Sequence, residues 1–191
     1  EFDSDPRCVL SFCASMLTSE DGAPLHIHRY QKKIGRDLHM DGKAFVRRWL
    51  IRSNCVVNAS GALFRKSALS GVGDDFVSFR GVGDWLFWTG ISLQGNVCFR
   101  YAPLNFFRQH GGNTTEALRR SGEDLLELRR LLTEFEKMGL RRPLLWLRYR
   151  VYAVHAARYD RSFPEELRLK VLEAWHDTPA VTFLARIKEH I

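Results

Sequence analysis

The order of patterns along the chain constrains it most. Over about the first 110 residues, short apolar runs alternate with stretches of helical spacing, and beyond Ser121 every apolar run keeps the helical period. Alternating strands and helices describe a sheet layered against helices, and a wholly helical tail adds no strand to it. The expected fold is therefore α/β, followed by an all-helical C-terminal extension. The 191 residues, 45 % of them hydrophobic, suffice for a single-domain core and are short for two full domains with a linker.

Residues 7–17 are a continuous apolar run closed by the turn Ser19-Glu20-Asp21-Gly22, which predicts a largely buried strand. Phe45, Val46, Trp49 and Leu50 then recur with helical spacing and predict a helix from Asp41 to about Ser53. Residues 56–65 read as a second strand and 66–69 as a short helix. Four glycines in 71–83 predict a mobile or tightly turned loop, a candidate functional loop. A helix capped by Asp84 follows, with Trp85, Trp88 and Ser92 on one side and Leu86, Phe87, Ile91 and Leu93 packing inward. Residues 97–101 and 104–108 read as two strands interrupted by Ala102-Pro103. In the tail, Ser121-Gly122-Glu123-Asp124 resembles a capping box for a helix to Met138, with Gly139 as its stop. Pro143, Pro164 and Pro179 each start a further helix. Trp146, Tyr149, Tyr152 and Trp175 on those helices are core residues or contacts to a membrane or partner.

No run approaches the roughly 20 apolar residues of a membrane-spanning helix, and the first residues carry no signal-peptide pattern. The start without Met, in an acidic turn, fits a segment of a longer polypeptide. Four cysteines, Cys8, Cys13, Cys55 and Cys98, make neither a disulfide framework nor a paired zinc knuckle, and point to a reducing compartment. The formal charge of +7 is concentrated in 41–110, with nine basic against four acidic residues, and in 140–191, with ten against six. No basic block stands out as a nucleic-acid arm. The central excess suits a phosphorylated substrate, an anionic membrane surface or nucleic acid.

Gly71-Val72-Gly73 lacks the third glycine of a dinucleotide fingerprint and follows a helical segment, not a strand. His26 and His28 would share one face of a strand and, with His39 or Asp41, can make a metal site or simply a surface pair. The strongest local signal is Asp84. It follows the glycine-rich loop, precedes two tryptophans, and lies one strand before Arg108-Gln109-His110-Gly111-Gly112-Asn113-Thr114-Thr115. A carboxylate, an imidazole and a guanidinium together suit proton transfer beside a phosphate-bearing substrate. The plainer reading makes Asp84 a helix cap and His110 a loop residue.

The run Asn58-Ala59-Ser60-Gly61-Ala62-Leu63-Phe64-Arg65-Lys66-Ser67-Ala68-Leu69, then Gly83-Asp84-Trp85, then Leu104-Asn105-Phe106-Phe107-Arg108-Gln109-His110 resembles the second half of a family 2 glycosyltransferase of the GT-A fold. Residues 5–10 and 20–25 resemble the segment after that family's metal-binding strand, so the likeness covers about residues 3–115. It implies a partial GT-A, Rossmann-like domain over 1–115 and a helical extension over 116–191. It also implies inverting transfer of a sugar from a nucleotide-sugar donor to a saccharide or lipid-linked acceptor, in bacterial surface polysaccharide synthesis. Asp84 matches the general base. His110 matches a histidine near the diphosphate and its divalent cation, Mg or Mn, with Arg108 adding charge. Trp85, Gly83 and Asn58 fall on the acceptor side, and Gly81 and Gly83 would let the loop close. The location implied is cytoplasmic, either free or at the inner face of the membrane, with no nucleic-acid partner.

The family's nucleotide-binding strands and Asp-x-Asp motif are expected upstream of residue 1, so donor binding is expected to be absent from these residues alone. Asp3-Ser4-Asp5 aligns with the later Asp-Pro turn, and Gly83 stands where the family commonly carries Glu. The alternative from another class is a non-catalytic basic module that binds a partner, anionic lipid or nucleic acid.

Overall fold

The computed structural model describes residues 1–109, 114–160, 164–176 and 178–187. The chain divides into two compact units. One is Glu1–Ser78 with Gly83–Gly111, and the other is Phe79–Val82 with Gly112–Ile191.

The first unit is mixed α/β. Its elements are β1 (Cys8–Thr18), β2 (Pro24–Ile27), α1 (Arg29–Ile34), β3 (Leu38–Asp41), α2 (Gly42–Arg48), β4 (Ala62–Phe64), α3 (Gly83–Ser92) and β5 (Asn96–Arg108). The sheet runs β2-β1-β5-β3, with β4 also on β1. β1 and β5 pair in parallel and the remaining pairs are antiparallel. As the apolar run predicted, β1 is central and largely buried, because neighbours lie along both of its edges. Two short strands share one of those edges: β4 opposite Leu10, Ser11 and Phe12, and β2 opposite Met16, Leu17 and Thr18.

The expected break at Ala102-Pro103 is not there, and β5 is one strand of 13 residues. Its register against β1 shifts instead, with Cys13 opposite Arg100, Ala14 opposite Pro103 and Ser15 opposite Asn105. Irregular pairing of this kind accommodates a residue that has no amide hydrogen to donate. The strand expected over 56–65 is also shorter than its pattern. A 3₁₀ turn occupies Ala59–Gly61, where the Asn58 side chain accepts from Ser60 N, and only β4 is extended.

Helix α2 ends at Arg48 and a 3₁₀ turn, Leu50–Arg52, continues it, which divides the expected single helix. The Asp41 carboxylate caps α2 by accepting from Ala44 N at 2.9 Å. Gly42 is required, because a Cβ there would collide with the carbonyl oxygens of Ser92 and Gly95. Phe12, between Phe45 at 5.8 Å and Phe99 at 4.7 Å, centres the apolar core. Gln31 of α1 is 1 % exposed yet fully engaged: it accepts from Ser15 N at 2.7 Å and donates to the carbonyls of Cys13 and Cys55. That locks α1 onto β1, since an unpaired buried amide would be costly. Arg65 donates to the carbonyls of Cys8 and Phe2, tying the first residues to the end of β4. All four cysteines are free, and Cys13 is less buried than the other three.

The second unit is helical: α4 (Thr114–Ser121), α5 (Glu123–Lys137), α6 (Pro143–Tyr159), α7 (Glu165–Ala174) and α8 (Pro179–Ile187). Helix α4 goes beyond the sequence expectation, because its only apolar residues are Ala117 and Leu118. The capping-box expectation holds in part: Gly122 at φ 75° directly precedes α5 and Ser121 ends α4, donating to Leu118 O, yet the Ser121 hydroxyl also accepts from Glu123 N at 3.4 Å. Gly139, at φ 70°, stops α5 as expected. Leu125, Leu128, Leu131, Leu132 and Phe135 form the buried stripe of α5. Trp175 is core, its indole donating to Leu125 O at 3.0 Å. Among the described residues, no helix is long and apolar enough to cross a membrane.

Candidate functional site

Asp84 lies in the first turn of α3, one residue inside the helix and not before it as the cap reading required. The side chain is exposed. Its carboxyl is nevertheless pushed above the ordinary carboxylate range, chiefly by burial among the surrounding atoms, with the Trp85 N–H and Asn54 pulling the other way. Asn54 Nδ2 donates to Asp84 Oδ2 at 3.0 Å, and Asn54 Oδ1 accepts from Val56 N, so the amide is oriented before it meets the carboxylate. A carboxylate that water can reach and that resists ionisation more than usual is poised to take a proton.

Helix α3 is buried on nearly all sides. Trp85 is 9 % exposed and its indole donates to Leu50 O at 2.7 Å, while Trp88 is also buried. The two-sided expectation for this helix is thus corrected, because Trp85, Trp88 and Ser92 are core together with Leu86 and Ile91. Trp85 therefore supports α3 from beneath Asp84 and offers little surface to a ligand. Thr89 and Ser92 donate to the carbonyls one turn earlier, which satisfies their hydroxyls inside the core. Gly83 is buried at the start of the helix.

Asn58 belongs to a second polar cluster. Its amide donates to Asn105 Oδ1 at 3.3 Å, and Asn105 Nδ2 donates to Ser15 Oγ at 2.9 Å, so β5, β1 and the turn before β4 are joined. Arg108 is exposed at the end of β5, opposite Thr18. His110 lies outside the described residues. Among the described residues, no hydrogen bond or ion pair joins Asp84 to Asn58 or Arg108.

The histidine set proposed for a metal is not assembled. His28 caps α1, its Nδ1 facing Tyr30 N at 3.5 Å, and Asp41 caps α2. His39 pairs with Asp5 at 2.8 Å. Asp5 also accepts from Asn96 Nδ2 and Arg7 N, and these bonds, Asn96 first, hold its carboxyl down at about 2. Among the described residues, no three His, Cys, Asp or Glu side chains converge as a metal-holding group.

Sequence reasoning missed two contacts around the candidate site. Asn54 sits 30 residues before Asp84, at the end of a helix, with no spacing signal. Glu127 of α5, within the helical unit, accepts from the backbone N–H groups of Arg80 at 2.6 Å, Gly81 at 2.7 Å and Val82 at 3.2 Å. It thereby fixes the end of the glycine-rich loop as a strap, and a Cβ on Gly81 would strike Leu118. The loop also holds a 3₁₀ turn, Asp74–Ser78, so it is ordered rather than open along its length. No family model, curated protein or solved structure matches this chain.

Proposed function

We propose that residues 1–115 form the acceptor-side portion of an inverting GT-A glycosyltransferase and that Asp84 is its general base. The observation that carries the reading is a solvent-reachable carboxyl, raised by desolvation and held by Asn54, directly after a glycine-rich loop. In this reading an acceptor hydroxyl enters above Asp84. The carboxylate takes the hydroxyl proton while the oxygen bonds to the anomeric carbon, and the bond from that carbon to the diphosphate oxygen breaks, its electron pair leaving with the nucleoside diphosphate. Configuration inverts because attack comes from the face opposite the leaving group. Asn54 keeps one carboxylate oxygen occupied and leaves the other for the proton. Arg108 and His110 are assigned to the diphosphate side, Asn58 to the acceptor side, and a divalent cation to the donor-binding portion. The product is a surface polysaccharide or its lipid-linked precursor.

The decisive variant is Asp84→Asn, which keeps size and the Asn54 neighbourhood but cannot accept the proton. In the complete transferase, incubated with nucleotide-sugars and a saccharide acceptor, it is expected to lose at least about a hundredfold in turnover, the scale of general-base catalysis, with an unchanged circular dichroism spectrum. Near-normal transfer would remove Asp84 from the chemistry.

A further inference from the structure

All residues of α3 are buried except two, Asp84 and Phe87. They stand three positions apart, so the carboxyl and the phenyl ring share the one open side of the helix, a single turn from each other. The ring is not alone there. Phe76, from the 3₁₀ turn Asp74–Ser78 of the glycine-rich loop, meets Phe87 at 5.2 Å between centroids, and Phe64 of β4 meets it at 5.4 Å, both edge to face. Buried Trp88 backs the group, 4.9 Å from Phe87 and 6.0 Å from Phe64. Three elements thus converge on one aromatic array, in the arrangement that such rings prefer. Its outer side is open to water, with Phe64 37 % exposed and Phe76 and Phe87 half-buried.

Phenyl rings left open beside a carboxyl that water can reach mark a place for an apolar ligand. Charge narrows the choice. The chain that carries the rings brings three exposed carboxylates, Asp74, Asp75 and Asp84, against one exposed lysine, Lys66. Arg65, directly after Phe64, is turned to the carbonyls of Cys8 and Phe2. Such a rim disfavours the phosphates of nucleic acid or of an anionic bilayer and leaves an uncharged hydrocarbon. We propose that Phe64, Phe76 and Phe87 receive the hydrocarbon chain of a lipid-linked acceptor whose hydroxyl lies at Asp84. As an acceptor subsite the array rests on the reading of Asp84 as the base, and it selects the lipid-linked acceptor over the free saccharide. Trp85, expected on the acceptor side, is core, and Phe87 takes that place on the same helix.

The probes are octyl glucoside, kept below its micelle concentration, and methyl glucoside, each titrated into the isotopically labelled chain and followed by nuclear magnetic resonance shifts. Each methylene that leaves water is worth about fourfold in affinity, so the octyl compound is expected to bind at least about tenfold more tightly, with shifts centred on Phe64, Phe76 and Phe87. Phe87→Ser should lose at least about tenfold of that binding and Phe64→Ser about threefold or more, with far-ultraviolet spectra unchanged. Equal binding of the two glucosides, no octyl binding, or shifts centred elsewhere overturns the proposal. So does self-association that Phe87→Ser abolishes without octyl binding. The comparison of the two glucosides needs only the parent chain, and it decides even where a variant does not fold. No sugar transfer enters these measurements, so the base is judged separately by Asp84→Asn. Transfer lost in that variant, with the two glucosides bound equally, strikes the hydrocarbon subsite and keeps the base. Octyl binding at the rings, with transfer retained in Asp84→Asn, keeps an apolar site and strikes the base and the acceptor role together.

Discussion

At the scale of single residues, the structure turns several chemistry-bearing side chains into structural ones. His28 is the clearest case. Burial, with the Arg29 cation beside it, pulls its imidazole down to about 4. A histidine in the unfolded chain titrates near about 6.5. Between those values the unfolded state binds a proton that the folded state does not, so this contribution to stability is complete above about pH 6.5 and is lost as pH falls toward 4. His28→Asn keeps a capping acceptor and is expected to remove on the order of 1–2 kcal/mol of that acid destabilisation, the ring being partly open to solvent. Urea midpoints of both proteins near pH 7 and pH 4.5 check it, and parallel losses would show that His28 titrates normally. Asp84 differs from His28 in keeping its head group in reach of water. Its position after a glycine-rich loop made it legible in the sequence. Its partner Asn54 was not, because their contact arises only when the turn after α2 packs beside the start of α3.

At the scale of elements, backbone donors and acceptors decide where patterns fail. Residues 56–65 have strand composition, yet the Asn58 side chain bonds to Ser60 N and draws the chain into a turn, an alternative that short polar side chains regularly offer. Pro103 marks an interruption by its chemistry, but a shift of register against β1 lets β5 continue past it. Nothing in residues 71–83 indicates that Glu127, more than 40 positions later, holds the strap. Removing that carboxylate in Glu127→Ala leaves three backbone N–H groups without their acceptor and should cost about 2–4 kcal/mol. Faster hydrogen exchange at the amides of 80–82 would accompany it. Glu123→Ala, which breaks only the exposed pair with Arg80, should cost no more than about 1 kcal/mol. Similar costs for the two substitutions would show that the strap does not depend on Glu127.

At the scale of the whole molecule, two separate buried sets replace the single core that the length allowed. Phe45 and Phe99 anchor the sheet unit, and Phe135, Val154 and Val171 the helical one. Phe135→Ala is expected to destabilise the helical unit by about 3–5 kcal/mol. Amide protection should fall most in α5 to α7 and least along β1 and β5, as read by hydrogen exchange. A uniform fall across the chain would mean one cooperative unit. The alternation of short-run and helical patterns by itself determined the mixed α/β class of the first part, the buried central strand and the three proline-started helices. These rest on periodicity and local turn chemistry, which act between residues a few positions apart. Tertiary structure alone decided the parallel pairing of β1 with β5, the burial of Trp85, the dispersal of the histidines into caps and a carboxylate pair, the Asn54–Asp84 contact and the Glu127 strap. Each of these joins groups distant in sequence or depends on which face a neighbour covers, and no local pattern encodes that.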